Sequence, residues 1–166
     1  MNNYTFYALN ILLFALPLAL FEINLEKKNG WGSAFPKDKW YGKSFIKGTK
    51  FGANLTKLTR LESPLNYHVL VMILFAVVFL SELFIGHNNF WLVLSAFFGV
   101  NFFADLFWFS FNWHFDSMKQ LLKGPNGSIF WHKDWVKINK NSYLPTVYPT
   151  WLALSIIFFI MAEIWR

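Results

Sequence analysis

Residues 104–116, ADLFWFSFNWHFD, set two aspartates, an asparagine and a histidine among aromatic side chains. Asn101, Asp105, Trp108 and Asn112 recur at intervals of four, three and four, which puts all four on one stripe of a helix. In hydrocarbon a lone aspartate costs roughly 2.5 kcal/mol or more, so this stripe is expected to face other helices or a wet cavity. Asp116 falls past the end of the helix and needs no such account. At ~1.5 Å rise per residue, Asp105 lies ~12 Å from the helix end near Trp113.

Other ionisable groups come to the same end. Glu22 and Glu26 leave the first apolar segment, His68 enters the second, and His114 leaves the third. Glu22, His68, Asp105 and Asn112 are therefore the catalytic candidates, for acid–base work by a carboxyl tuned through burial. Glu22, His68, Asp105 and His114 are the candidates for a divalent metal, since imidazole suits zinc or iron and carboxylate suits manganese. The competing reading is a structural hydrogen-bond network between helices, with His68 and His114 merely ending them. No HxxxH or HExxH spacing sharpens the metal case, and the identity of any cofactor stays open. The absence of cysteine removes thiolate metal sites, thiol nucleophiles and disulfides.

The elements that must position these groups follow from composition. Of 166 residues 55% are hydrophobic and 14% charged, with 21 Phe and 9 Trp, whereas soluble domains carry about a quarter charged residues. The apolar residues gather in four segments, approximately 6–23, 67–85, 90–113 and 147–165. Each approaches the ~20 residues that cross a bilayer core as a helix. They are apolar on nearly all sides, which excludes a barrel of alternating strands. The expectation is an all-α integral membrane four-helix bundle, one domain over residues 1–166, whose two polar loops bear short interfacial helices. The first segment has no basic flank and no clean cleavage site, so it reads as a retained anchor.

Charge sets the orientation. Residues 24–66 hold nine of the fifteen Lys and Arg and residues 114–146 hold five; Arg166 is the last. Both loops must share one side of a four-pass chain. The positive-inside rule makes that side the cytoplasm and puts both termini outside, in a plasma membrane that we read as the bacterial inner membrane. The lysines are expected to meet anionic lipid headgroups rather than nucleic acid, for which no binding motif is present.

Within the first loop, GWGSAFPKDKWYGK has two readings. It is an interfacial loop anchored by Trp31, Trp40 and Tyr41, or a loop folded back over the mouth of the bundle, its glycines permitting close approach. In the second loop, HFDSMKQLLKGPNG predicts a short amphipathic helix closed by a turn at residues 124–127. IFWHKDW then puts Trp131 and Trp135 on one face of a membrane-surface helix, with His132 an interfacial residue rather than a ligand. At the opposite end, Glu82, His87, Glu163 and Arg166 are expected to form an exposed ion-pair group of little consequence.

EINLEKKNGWGSAFPKDKWYGK, then NYH, then DLFWFSFN, then WHKDW with Pro145 and Tyr148, resembles a family of small four-pass membrane proteins without assigned function. The likeness covers most of the chain in the same order. In that family an acidic pair precedes the WF and a proline often follows the asparagine; here Ala104 and Trp113 stand in those places. The resemblance implies Glu22, Trp31, His68, Asp105, Trp108, Asn112, Trp131 and His132 as positions to watch, and implies no reaction. Two functions remain open: an enzyme or binding protein for a lipid or hydrophobic small molecule, or a non-catalytic bundle that assembles with a partner membrane protein. Oligomeric state is not legible.

Overall fold

The computed structural model describes residues 3–28, 30–59, 64–84 and 89–165. The chain is mostly helical: α1 (Asn3–Glu26), α2 (Lys50–Thr59), α3 (Asn66–Phe84), α4 (Phe90–Phe111), α5 (Ser117–Leu122) and α6 (Val147–Ile164). A two-stranded antiparallel sheet, β1 (Trp135–Asn139) and β2 (Ser142–Pro145), precedes α6. Among the described residues three helices are long and apolar enough to cross a membrane: Tyr7–Glu26, Phe90–Phe111 and Val147–Ile164; α3 is a shorter apolar helix over Asn66–Ser81. Even the most enclosed window, in α4, is only 28% buried within the protein. Leu13, Leu74, Val77, Ile157 and Ile160 point outward instead, a surface that hydrocarbon solvates and water does not.

α4 is the axis of the molecule, packed against α1, α6 and α3. α1 meets it through Ile11, Ala15, Ala19, Ile23 and Glu26, a stripe at four- and three-residue spacing. Its two alanines are fully buried, small enough for close backbone approach. Gly99 does the same work on α4: a Cβ there would lie 2.9 Å from Ile11 Cδ1 and 3.2 Å from Ser155 Oγ. Below this contact Ser95 Oγ donates to the Ser155 carbonyl at 2.6 Å, and Ser155 Oγ donates back to the Ser95 carbonyl at 2.9 Å. The Tyr7 hydroxyl joins them through Ser95 Oγ. Polar side chains between apolar helices are satisfied here by each other.

The ends of the helices are capped by their own sequence. Asn89 Oδ1 accepts the Trp91 N–H at the start of α4, a standard N-cap. At its other end Asn112 Nδ2 donates to the Lys27 carbonyl at 2.7 Å while its Oδ1 accepts the His114 N–H. Asn112 thereby staples the end of α1 to the end of α4. α1 itself stops at Lys27, whose φ of 55° and N–H bond to the Ile23 carbonyl make a left-handed C-terminal turn.

The second loop departs from its expected form. α5 and the 3-10 turn Gly124–Asn126 match the helix and turn predicted from HFDSMKQLLKGPNG, but IFWHKDW is extended and runs into β1 rather than forming a surface helix. The reason lies just downstream. Val136 and Ile138 alternate with Lys137, a period of two that favours a strand. The Lys140-Asn141 turn folds the chain back so that Val136 pairs with Leu144 and Lys137 with Tyr143. His132, expected at the interface, is consequently buried at 5% exposure, because the hairpin presses this segment onto the start of α6. Of the group expected at the opposite end, only the Glu163 side chain lies within what is described.

Candidate functional site

At the loop-bearing end, α1, α3 and α4 and the two loops line a cavity of ≈ 50 Å³, room for roughly three to five waters at ~10–15 Å³ each. Glu22 and Glu26 line it from α1, His68 from α3, and Asp105, Trp108 and Phe109 from α4. Trp31 closes it from the first loop and Trp131 from the second.

The Gly-rich turn explains how Trp31 reaches inward. Gly32 has φ +59°, and the Ser33 and Phe35 N–H groups bond back to the Gly30 and Gly32 carbonyls. Two tight turns in succession fold the chain back over the helix ends. Gly30 lies flat on Trp131, where a Cβ would come within 2.2 Å of the indole ring. Trp31 itself has φ 55°, a region costly for a bulky side chain, of order 1–3 kcal/mol. Two contacts hold it there. Its N–H donates to Glu26 Oε2 at 3.0 Å, and its ring stacks on His68 with centroids 4.4 Å apart. The first loop thus folds over the mouth, while Trp40, further along it, remains 60% exposed.

His68 has a defined tautomer. The Leu65 N–H donates to Nδ1 at 3.1 Å, so Nδ1 carries a lone pair and the ring proton resides on Nε2. Nε2 faces Glu26 Oε1 at 3.4 Å. Both Glu26 oxygens are therefore engaged within the chain. Glu22 accepts one bond, from the Tyr67 hydroxyl at 3.4 Å. Asp105 accepts from the Tyr148 hydroxyl at the start of α6. Since the Tyr148 proton goes to Asp105, His132 Nε2, 3.3 Å from the Tyr148 oxygen, is the donor of that pair. His132 Nδ1 is then the bare nitrogen, buried without a partner. Burial pushes the His132 imidazole down to about 3, so it is neutral.

Of the expected site residues, Glu22, His68 and Asp105 share the cavity, with Trp31, Trp108 and Trp131 in its wall. His132 stands one hydrogen bond behind it. Asn112 is buried but is fully occupied as the staple between α1 and α4. His114 is exposed beside Trp113 and takes no part in the cavity. Its position follows from the helix ending at Phe111, which turns the next residues outward. Among the described residues no three His, Asp or Glu side chains are arranged to hold a metal ion. Sequence reasoning brought Glu26 to this end without making it a site candidate, and gave Tyr67 and Tyr148 no role in the site. Spacing could have found them: Glu26 is one turn from Glu22, Tyr67 adjoins His68, and Tyr148 opens the last apolar segment at this same end.

Two donors in the wall are left over. Trp31 Nε1 and Trp108 Nε1 are buried with no acceptor, a condition that costs free energy unless a ligand or water meets it. The arrangement can engage a small polar group through carboxyl oxygens, indole N–H donors and aromatic faces. No protein-family model, curated protein or solved structure matches the chain.

Proposed function

We propose that this chain is a four-pass membrane protein, its two lysine-rich loops in the cytoplasm, that binds the polar group of a lipid or hydrophobic small molecule at the cytoplasmic end of its helices. The observation that carries this reading is the gathering of Glu22, Glu26, Asp105 and His68 from three helices around one cavity. A packed interior has no use for three carboxyls beside open space and unmet indole donors. Glu22 and Asp105, each with spare acceptor capacity, contact the ligand; Glu26, His68 and Trp31 form the brace that shapes the wall. Any proton transfer at this site falls to Glu22 or Asp105.

A second reading, a non-catalytic assembly subunit, is favoured by the Trp31–Glu26–His68 brace, in which the Trp31 backbone N–H, both Glu26 oxygens and both His68 nitrogens are engaged within the chain. The two are separated by native mass spectrometry of protein extracted in mild detergent, comparing wild type with a Glu22→Gln/Asp105→Asn variant. Binding predicts a co-purifying amphiphile that the variant loses at unchanged melting temperature. Identical ligand content in both proteins would leave the assembly reading standing. The orientation is tested in parallel on this cysteine-free chain. Cysteines at Ser44 and Ser128 should be protected from an impermeant thiol reagent in intact cells, and labelling from outside would reverse the topology.

A further inference from the structure

Among the described residues the wall of the cavity contains three carboxyls, one imidazole and four further aromatic rings, with neither Lys nor Arg. His68 does not compensate, because its Nδ1 is occupied as an acceptor of the Leu65 N–H. In a low-dielectric pocket, carboxylates this close repel one another, and a cation among them relieves the repulsion. Aromatic faces beside carboxyl oxygens are also the recognition chemistry of ammonium groups. An anion would meet three acids. A metal ion would need a ligand geometry that the described residues do not form.

A second observation, independent of the acids, specifies more. Trp108 lines the cavity at 3% exposure, and its indole N–H has no acceptor. A cation cannot satisfy that donor; an oxygen can. Carboxyl oxygens with spare acceptor capacity call for an ammonium that still carries N–H donors. We infer that the cavity takes the primary ammonium group of an amphiphile that carries an oxygen acceptor next to the amine, with its hydrocarbon tail outside the cavity. Glu22 and Asp105 receive the ammonium protons, and Trp108 donates to the oxygen. This rests on the proposed binding function and names the chemical class of ligand.

The test uses the full chain in mild detergent and two probes of equal length, 2-(dodecyloxy)ethylamine and 2-(dodecyloxy)ethanol, titrated calorimetrically. The amine should bind about tenfold or more tightly than the alcohol. That preference should vanish in the Glu22→Gln/Asp105→Asn variant. Trp108→Phe should weaken both probes alike, leaving their ratio intact. Equal affinity of the two probes for the wild type overturns the cation assignment while the binding function stands. Binding of neither probe overturns both. The wild-type ratio decides the matter even if the double variant does not fold.

Discussion

Two polar clusters lie between the same helices, and they differ in how completely they close. Around Ser95 and Ser155, hydroxyls and carbonyls exchange bonds in both directions with Tyr7 alongside. No carboxyl takes part in these bonds, and every hydroxyl has a partner. Around Glu22, Glu26 and Asp105 the chain places three acids, two unmet indole donors and open space. Polar groups that only hold helices together satisfy one another, because leaving one unmet in an apolar interior is costly. A polar cluster that stays partly unmet has been kept for something other than cohesion. The contrast therefore predicts opposite responses to substitution: stability should reside in the serine cluster, and ligand binding in the acidic one.

The largest effect is expected where α1, α4 and α6 come closest. Gly99→Leu adds a branched side chain where even a Cβ would sit 2.9 Å from Ile11. Overpacking of this kind costs about 1–3 kcal/mol and at times more. The melting temperature in detergent should fall sharply. Gly99→Ala should cost less, because the flexible Ile11 tip can move aside. If Gly99→Leu left the melting temperature unchanged, the close three-helix contact would be wrong.

A smaller effect concerns the shell behind the acidic cluster. His132 stays neutral down to about 3 when folded, whereas an unfolded histidine takes up a proton near 6.5. Between those values the unfolded chain binds a proton that the folded chain does not, so stability falls as pH drops through that window. Above pH 6.5 the two states bind equally and this dependence disappears. From pH 7 to pH 5 the loss attributable to His132 is about 2 kcal/mol. Denaturation of His132→Phe should show a correspondingly flatter profile over this range, whatever its absolute stability. An identical slope in wild type and variant would place His132 in contact with solvent.

How much of this could be read from the sequence divides along physical lines. The apolar segments were legible because long runs with so little charge stand out in composition alone, and the helices found have nearly those bounds. The polar stripe of α4 was legible because helical spacing fixes which residues share a face: Asp105 and Trp108 do reach one cavity. His114 was misjudged because proximity in sequence to a helix end says nothing about direction once the helix stops. The brace of Glu26, His68 and Trp31 depends on a left-handed turn at Trp31, which no propensity for tryptophan foretells. The hairpin was missed because two tryptophans at helical spacing outweighed the β-branched alternation at Val136 and Ile138, although the strand signal was the local one. The serine cluster left no mark in advance, since Ser95 and Ser155 stand sixty residues apart in segments that look uniformly apolar.

The smallest expected change in stability is the most informative. Ser95→Ala removes the hydroxyl that bonds the Ser155 carbonyl and the Tyr7 hydroxyl while leaving the Ser155 Oγ bond to the Ser95 carbonyl in place, and interhelical bonds of this kind average about 0.6 kcal/mol, up to about 1.7. Asp105→Asn should do less. The asparagine Oδ1 still accepts the Tyr148 proton that Asp105 accepts now, the side-chain volume is nearly unchanged, and a carboxyl among two other carboxyls is removed. Carboxyls crowded into one site disfavour one another, so taking one away relieves that repulsion. Asp105→Asn should therefore leave the melting temperature level or raise it slightly, while the preference for an amine over an alcohol headgroup falls. Ser95→Ala should do the reverse, lowering the melting temperature and leaving that preference intact. If Asp105→Asn destabilised the protein more than Ser95→Ala did, the acidic cluster would be part of what holds the helices together, and the distinction between the two clusters would be lost.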